Sequence, residues 1–278
     1  MKVETQTRVS GRDGAAIMIQ SHGSGPGIVV VHGGGVVLEL YRRFAIALAD
    51  RFTVHLYNRR GRAGAAPKTA DYTVQQDIDD LAAILQETGS RTAVGHSGGG
   101  FVVLEAALQL PLDRIALYDP AVSVDGILPT AFLDDFAVAI TAGQRARALA
   151  LMSRGMRAAG KLSTLPLPVQ QAMSALFLKT PIGRQMGDLL PATLQEVREI
   201  KAHEGPAGRY APITADTLLA TGAWSPPCYV GVNEALAGAV AHSRTLIVPK
   251  AAHDAINIAR PGFVEPFASF FGAPQSAR

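Results

Sequence analysis

The stretch TAVGHSGGGFVVLEAAL, Thr92 to Leu108, places one serine between a histidine and three glycines. An apolar, β-branched run leads into it and an alanine- and leucine-rich run leads out, which predicts a strand, a sharp turn and a helix. A serine on such a turn adopts a sparsely populated backbone conformation that exposes its hydroxyl. Gly95 and Gly99 let the strand and the helix approach without Cβ clashes. G-x-S-x-G in this context predicts that Ser97 is a nucleophile.

Short apolar runs alternate with helical patterns on both sides of this turn. The strands are predicted at 27–31, 51–57, 91–95, 114–118, 216–222 and 244–249. An amphipathic helix is predicted after Thr73 as N-cap, with Gly89 just past its end. Alternation of this kind predicts an α/β fold with a mainly parallel sheet that helices cover on both faces.

The alternation breaks in the middle of the chain. From about Val122 to Ala215 the sequence is rich in alanine, leucine and methionine, is interrupted by prolines, and reads as several short helices with no strand. We therefore expect one sheet domain, made of residues 1–121 and 216–278, with a helical insertion over 122–215, called the cap below.

Composition excludes several classes of protein. Lys and Arg number 26 against 23 Asp and Glu, so the net charge of +3 gives no reason to expect nucleic-acid binding. The single cysteine, Cys228, excludes an intramolecular disulfide framework. The first residues lack the apolar core of a signal peptide, and the apolar runs are too short to span a membrane. The expectation is a cytoplasmic protein without metal or cofactor.

Four motifs together resemble the serine-nucleophile branch of the α/β-hydrolase superfamily that carries a helical cap. They are VVVHGGG (29–35), YNRRGRAGAAP (57–67), GHSGGG (95–100) and PKAAHDAIN (249–257). The resemblance implies an oxyanion hole built from the backbone N–H groups of Gly34 and Gly98. A serine nucleophile disfavours dehalogenase and epoxide-hydrolase chemistry, whose enzymes need an aspartate at this position.

Of the seven histidines, His253 is the best candidate for the general base. It follows the last predicted strand in a short loop, at the sheet edge where Ser97 emerges, and the family places its histidine there as well. His22 is expected in a loop before the first long strand. His32 is expected to brace the glycine loop rather than to react.

The acid departs from the family's common pattern. No carboxylate follows the strand at 216–222 before Glu234, which lies inside a predicted helix. Some family members place the acid one strand earlier, and here that position is Asp119. A carboxylate just beyond a parallel strand lies on the catalytic edge and can accept a hydrogen bond from His253. The alternative is an aspartate that only makes a turn before Pro120.

The cap offers apolar side chains for a substrate pocket, although most such residues pack helix against helix. We expect Phe132, Phe136, Met152 and Met156 to line the pocket, together with Trp224 near the usual position of the acid. The cap is also basic. No Asp or Glu lies between Phe136 and Gly187, and the basic residues there are Arg145, Arg147, Arg154, Arg157, Lys161, Lys179 and Arg184.

The basic residues have two interpretations. Arg154, Arg157 and Lys161 fall at helical spacing and are expected to share one face. That face is either simply solvated or attracts an acidic carrier, such as coenzyme A or a carrier protein, which would make a thioester the substrate.

The sequence thus predicts a serine hydrolase with a Ser97–His253–Asp119 triad that cleaves a largely apolar ester or thioester of small to medium size. Two alternatives stay open. One is non-hydrolytic chemistry on the same triad, such as lyase, acyl-transfer or cyclisation chemistry. The other is a non-catalytic member of the fold that binds a small molecule.

Overall fold

A computed structural model describes residues 4–157 and 160–273. The strands are β1 (Glu4–Ser10), β2 (Ala16–Gly23), β3 (Gly27–Val31), β4 (Thr53–Tyr57), β5 (Thr92–His96), β6 (Arg114–Tyr118), β7 (Asp216–Gly222) and β8 (Ser243–Val248). The α-helices are α1 (Arg42–Leu48), α2 (Val74–Thr88), α3 (Gly98–Ala107), α4 (Leu133–Thr141), α5 (Arg145–Gly155), α6 (Leu167–Phe177), α7 (Pro181–Asp188), α8 (Leu190–Ala202), α9 (Cys228–Ala239), α10 (Ala255–Ile258) and α11 (Pro261–Gly272). Short 3₁₀ helices lie at Leu38–Tyr41, Gly160–Thr164 and Ala207–Tyr210.

All eight strands form one sheet in the order β1-β2-β4-β3-β5-β6-β7-β8. The strands β3 to β8 pair in parallel, which confirms the predicted mainly parallel sheet. β1 and β2 are antiparallel and were not predicted, because their polar, half-exposed residues lack the continuous apolar run of a buried strand. The prediction for His22 was wrong. His22 does not lie in a loop but in β2, where it pairs with Val54 of β4.

Helices cover both faces of the sheet, as predicted. One apolar cluster joins the sheet to α2, α3 and α9, and a second joins the other face to α1 and α11. Burial of these side chains supplies most of the favourable free energy of folding. Because β3, β5 and β6 are covered on both sides, the functional groups must lie in the turns at their carboxyl ends.

Helix α2 begins and ends where the sequence predicts, from Thr73 as N-cap to Gly89 in the left-handed region at φ 64°. The Thr73 side chain nevertheless makes no capping hydrogen bond. The N–H of Val74 instead donates to Glu199 Oε2 on α8, at 2.9 Å. A side chain of the helical insertion thus accepts a hydrogen bond from one of the N–H groups that have no partner within α2.

Between β6 and β7 the chain forms α4 to α8, and the cap has a small apolar core of its own. Phe136 is fully buried in that core. The predicted shared face of Arg154, Arg157 and Lys161 is wrong, because α5 ends at Gly155 and Arg157 adopts φ 52°. The predicted residue bounds of the cap stay a prediction.

No helix within the described ranges is both long and apolar enough to cross a membrane.

Candidate functional site

Ser97 occupies the turn between β5 and α3, with φ 53° and ψ −123°. This region is sparsely populated for residues other than glycine, and the fold holds Ser97 there through two sets of backbone hydrogen bonds. Its N–H donates to Tyr118 O at 3.1 Å, and its carbonyl accepts from Gly100 and Ala121. Ser97 is partly exposed although the residues around it are buried. The turn therefore leaves Ser97 accessible.

The glycines beside Ser97 are required by close packing. A Cβ on Gly99 would lie 2.1 Å from the carbonyl oxygen of Val31. A Cβ on Gly95 would lie 2.7 Å from Gly100 Cα. Since both distances are far below van der Waals contact, only glycine lets β5, β3 and α3 meet at this turn.

Asp119 and His253 come together from positions 134 residues apart. His253 Nδ1 and Asp119 Oδ2 are 2.9 Å apart, and Asp119 is completely buried just beyond the end of β6. Asp119 Oδ1 accepts from the N–H of Gly222 at 3.2 Å, and Oδ2 also accepts from Ser225 Oγ at 2.6 Å. These donors satisfy a buried carboxylate and fix its plane toward the imidazole. Because Nδ1 is hydrogen-bonded to Asp119, Nε2 is the ring nitrogen that can accept a proton from a reacting group.

The glycine loop after β3 lies against the Ser97 turn. The backbone nitrogen of Gly34 is 3.5 Å from the point where a Cβ on Gly98 would lie, and Gly33 packs beside Ser97 Cβ. Gly98 is the first residue of α3, where the N–H groups are free of helical partners and the helix dipole is positive. The structure thus brings Gly34 and Gly98 together beside Ser97.

A chain of hydrogen bonds joins this loop to the backbone of His253. The N–H of Gly33 donates to Tyr41 Oη at 2.9 Å, Tyr41 Oη lies 2.5 Å from His96 Nδ1, and His96 Nε2 lies 2.9 Å from the His253 carbonyl. Because a carbonyl only accepts, His96 Nε2 must carry the proton, and Tyr41 must donate to Nδ1. Burial lowers the pKa of His96 well below its usual range, so the ring stays neutral in this role.

Tyr229 on α9 contacts both Ser97 and His253, and the sequence analysis missed it. Its ring stacks on the His253 imidazole with centroids 5.0 Å apart and planes 6° apart. Its side chain also interacts with that of Ser97. Burial raises the pKa of Tyr229 well above its usual range, so the hydroxyl keeps its proton. The stacked ring restricts the orientation of the imidazole.

Tyr229→Phe should lower the rate at which a fluorophosphonate labels Ser97 by no more than about fivefold, because at most one hydrogen bond of about 1 kcal/mol is lost while the stacking ring stays. Tyr229→Ala should lower the rate further, since the imidazole loses its stacking partner. Labelling rates of both variants check this order. Equal rates for Tyr229→Phe and Tyr229→Ala would contradict the role of the stacked ring.

Beneath the glycine loop lies a buried cluster of charges. Arg59 Nη2 is 2.5 Å from Asp77 Oδ2, and Arg62 pairs with Glu196 of the cap helix α8. Lys68 Nζ lies 3.4 Å from both carboxylates. Three cations face two anions, and all five side chains are almost completely buried. Burial by itself raises the pKa of Glu196, but the charges of Arg59, Arg62 and Lys68 outweigh it and lower that pKa to about 2.

The arginines of this cluster hold the glycine loop by donating hydrogen bonds to the backbone carbonyls of the loop. Arg62 donates to Gly33 O and to Val36 O, each at 3.2 Å, and Arg59 Nη1 donates to His32 O at 3.3 Å. The N–H of Arg59 donates to His32 Nε2, so His32 must donate through Nδ1 to Gly33 O. Burial, aided by the charges of Arg62 and Arg59, lowers the pKa of His32 well below its usual range. His32 therefore braces the loop as a neutral ring.

Glu196→Ala should lower the free energy of unfolding by about 3–5 kcal/mol, because it leaves Arg62 buried without its anion. Asp188→Asn is the matched control on the cap, since its ion pair with Arg145 is exposed and should contribute less than about 1 kcal/mol. Urea unfolding of the two variants measures the difference. Similar losses in both would show that the buried pair is not a principal link between cap and core.

A cavity of about 650 Å³ opens between the sheet edge and the cap. Ser97, Gly34, Gly98, Tyr229 and His253 all lie on its wall. The rest of the wall is mainly apolar, and its large members are Leu40, Leu128, Phe132, Leu149, Met152, Met156, Leu162, Met173, Phe177, Ile182, Met186 and Ile200. The size suits a medium-sized ligand, and the methionines can adapt to its shape.

Three of the predicted pocket residues, Phe132, Met152 and Met156, lie on this wall. Two predictions were wrong. Phe136 packs inward between cap helices, one helical turn from Phe132, and does not reach the cavity. Trp224 follows β7 in a turn and is 69% exposed, so it points to solvent outside the cavity.

Sequence reasoning also missed the buried charges and the Tyr41–His96 chain. One signal was present: Asp77 shares the apolar face of α2 with Val74, Ile78 and Leu81, and a carboxylate at such a position needs a buried cation. No local signal marks Tyr41, Tyr229 or Glu196, whose partners lie far away along the chain. No group of three or more His, Cys, Asp or Glu side chains in the described ranges is arranged to hold a metal ion.

Comparison with known proteins gives one family match and several partial relatives. A sequence model of the alpha/beta hydrolase family matches residues 28–266. The Uncharacterized hydrolase YraK of Bacillus subtilis is 35% identical over 102 residues, which are 35% of this chain and 38% of that protein. The 2-heptyl-3-hydroxy-4-quinolone dioxygenase AqdC2 of Rhodococcus erythropolis is 32% identical over 117 residues, 41% of this chain and 42% of that protein.

A pimeloyl-[acyl-carrier protein] methyl ester esterase of Methylococcus capsulatus is 34% identical over 97 residues, 34% of this chain and 36% of that protein. The chain therefore spans about two fifths of the length of these curated relatives. Among solved structures, an alpha/beta hydrolase from Sphaerobacter thermophilus superposes with a TM-score of 0.74 at 27% identity, covering 94% of this chain and all of the other.

Proposed function

Since the chain belongs to the alpha/beta hydrolase family, we propose that it cleaves a carboxylic ester or thioester through an acyl-enzyme on Ser97. The observation that carries the proposal is the 2.9 Å contact of His253 with buried Asp119 on the wall of the cavity that Ser97 shares. An imidazole held by a carboxylate next to an exposed serine is the arrangement that activates a hydroxyl for attack.

In the proposed reaction, Ser97 Oγ attacks the acyl carbon while His253 Nε2 takes the hydroxyl proton. Asp119 stabilises the imidazolium that forms. The negative oxygen of the tetrahedral intermediate accepts hydrogen bonds from the N–H groups of Gly34 and Gly98, and such a donor contributes about 3 kcal/mol to catalysis. The intermediate collapses, and His253 returns the proton to the leaving alcohol or thiol. Water, activated by His253, then releases the acid from Ser97.

The cavity wall indicates the substrate. Apart from the groups around Ser97, it is built mainly from Leu, Ile, Met and Phe side chains, so the substrate is a small to medium, largely apolar ester or thioester. The neutral His96 and the buried charge cluster stiffen the loop that carries Gly34, which favours rigid positioning of the oxyanion over adaptation to many substrates.

A more specific form of this proposal is that the acyl group is attached to a carrier, such as coenzyme A or a carrier protein. The relative from Methylococcus is named as an esterase of a pimeloyl-carrier methyl ester, and the cap here is basic. Esters of free acids and the matching coenzyme A thioesters, compared at equal acyl length, measure whether a carrier group raises kcat/KM.

A second candidate is non-hydrolytic chemistry at the same site, and one observation favours it. The relative from Rhodococcus is named a dioxygenase. In that case His253 would still act as base, but on a proton of the substrate, and no acyl group would be bound to Ser97.

The test is covalent trapping. A fluorophosphonate and activated esters of graded acyl length should each label the peptide that contains Ser97, detected by mass spectrometry, and Ser97→Ala should remove the label. Labelling with turnover of esters supports the hydrolase. A folded wild-type protein that takes no label from either reagent would favour the second candidate or a binding protein.

A further inference from the structure

Helix α6 of the cap presents an apolar face to solvent. Val169, Met173, Leu176 and Phe177 fall at positions i, i+4, i+7 and i+8 of this helix, so they share one face. All four are exposed, and Leu176 is 68% exposed. Only Gln170 of the whole helix is buried. Exposed apolar side chains that are contiguous, rather than scattered, mark a surface that contacts something other than water.

This face is continuous with the mouth of the cavity. Met173 and Phe177 line the cavity and are exposed at the same time, as are Leu162 before α6 and Ile182 after it. An apolar molecule leaving this surface would therefore enter the cavity along these four apolar side chains. Val169 and Leu176 extend the surface outward and do not line the cavity.

Exposed cations border the apolar face. Lys161 precedes α6, Lys179 follows it, and Arg184 lies on α7 beside it. No acidic residue occurs between Phe136 and Gly187, so the surrounding sequence carries one sign of charge. Two copies of the chain that met face to face at α6 would bring these cations together and repel each other. The charge therefore complements an anionic partner rather than a second copy.

We propose that this surface, made of Val169, Met173, Leu176 and Phe177 with Lys161, Lys179 and Arg184 at its border, docks the protein on an anionic lipid surface. An apolar face that inserts at the headgroup boundary, flanked by Lys and Arg near the phosphates, is the pattern of reversible interfacial binding. A hydrated acidic carrier protein would use the cations but leaves the row of exposed apolar side chains unexplained.

The test is partition of the full chain between buffer and vesicles of phosphatidylcholine, with or without phosphatidylglycerol, at low and high salt. Wild type should bind the anionic vesicles about tenfold better than the neutral ones, and high salt should remove most of this difference. Val169→Ser with Leu176→Ser, and separately Lys179→Glu with Arg184→Glu, should each weaken binding about tenfold or more. Hydrolysis of a soluble short-chain ester should be unchanged.

Matched control variants distinguish vesicle binding by this surface from nonspecific effects of exposed apolar side chains and of net charge. Val138→Ser removes an equally exposed apolar side chain from α4, outside the cavity wall. Arg8→Glu with Arg43→Glu reverses two exposed charges on β1 and α1. Both should bind vesicles as wild type does.

Four results would overturn the proposal. The first is equal vesicle binding by the surface and control variants, and the second is no vesicle binding by wild type. The third is a dimer in solution that dissociates in the α6 variants. The fourth is a charge-reversal effect confined to kcat/KM for coenzyme A thioesters, which would assign the cations to a carrier. Vesicle partition needs no turnover, so this proposal and the proposed function fail separately.

Discussion

Ser97→Ala lowers kcat/KM for ester hydrolysis by about 10⁴- to 10⁶-fold, to the level left by binding and the oxyanion donors alone. This is the largest effect that we expect of any single substitution. The reason is that the proposed acyl-enzyme needs an oxygen that His253 can deprotonate, and a methyl group offers none. Rates with a chromogenic ester, measured above a blank without enzyme, give the ratio.

Ser153→Ala is the matched control for this result. Ser153 also lines the cavity, on α5, but lies on the cap rather than on the turn after β5. Its loss should change kcat/KM by no more than a few fold. Thermal unfolding should show both variants folded, since neither hydroxyl is part of the apolar core. If Ser97→Ala kept more than a tenth of the wild-type rate, hydrolysis would not proceed through this serine.

Asp119→Asn should lower kcat by about 10⁴-fold. In the wild type, Asp119 Oδ2 accepts from His253 Nδ1, which leaves Nε2 free of a proton and able to act as base. An amide that turns its NH₂ toward the ring favours the other tautomer, with the proton on Nε2. The amide also carries no charge to stabilise the imidazolium. Pre-steady-state kinetics should show the loss in acylation as well as in turnover.

Asp254→Asn provides the comparison, because it removes a carboxylate that lies next to His253 in the chain and also lines the cavity. We expect its effect to be at least a hundredfold smaller than that of Asp119→Asn, since only Asp119 makes the contact with His253 Nδ1. The reverse order would transfer the role of the acid to residue 254. Equal, small effects would mean that His253 needs no carboxylate partner.

The parallel sheet, the turn at Ser97 and the limits of α2 were predictable because local signals determine them. β-branched runs, a glycine on either side of one serine, and Thr73 and Gly89 at the ends of an amphipathic pattern each act within a few residues. The hairpin of β1 and β2 was missed because polar alternation at a sheet edge is a weak signal. The position of Phe136 was misjudged because periodicity gives the face of a helix but not which neighbour covers that face.

The pairing of Asp119 with His253 was predictable only as a topological argument, since the carboxyl ends of parallel strands share one edge. Its support from Gly222 and Ser225, the ring of Tyr229 and the chain through Tyr41 and His96 was not predictable. Each depends on distances between segments that lie up to 157 residues apart, and no local pattern encodes them.

The sequence by itself determined the fold family, the exposed serine and the sheet edge where chemistry is expected, because strand and turn preferences act over short stretches of chain. Only the tertiary structure decided which side chains surround that serine, which cap residues reach the cavity and how Glu196 and Arg62 hold the glycine loop. The physical reason is that a buried charge or ring is stabilised by whatever packs against it, and that neighbour is chosen by the fold as a whole.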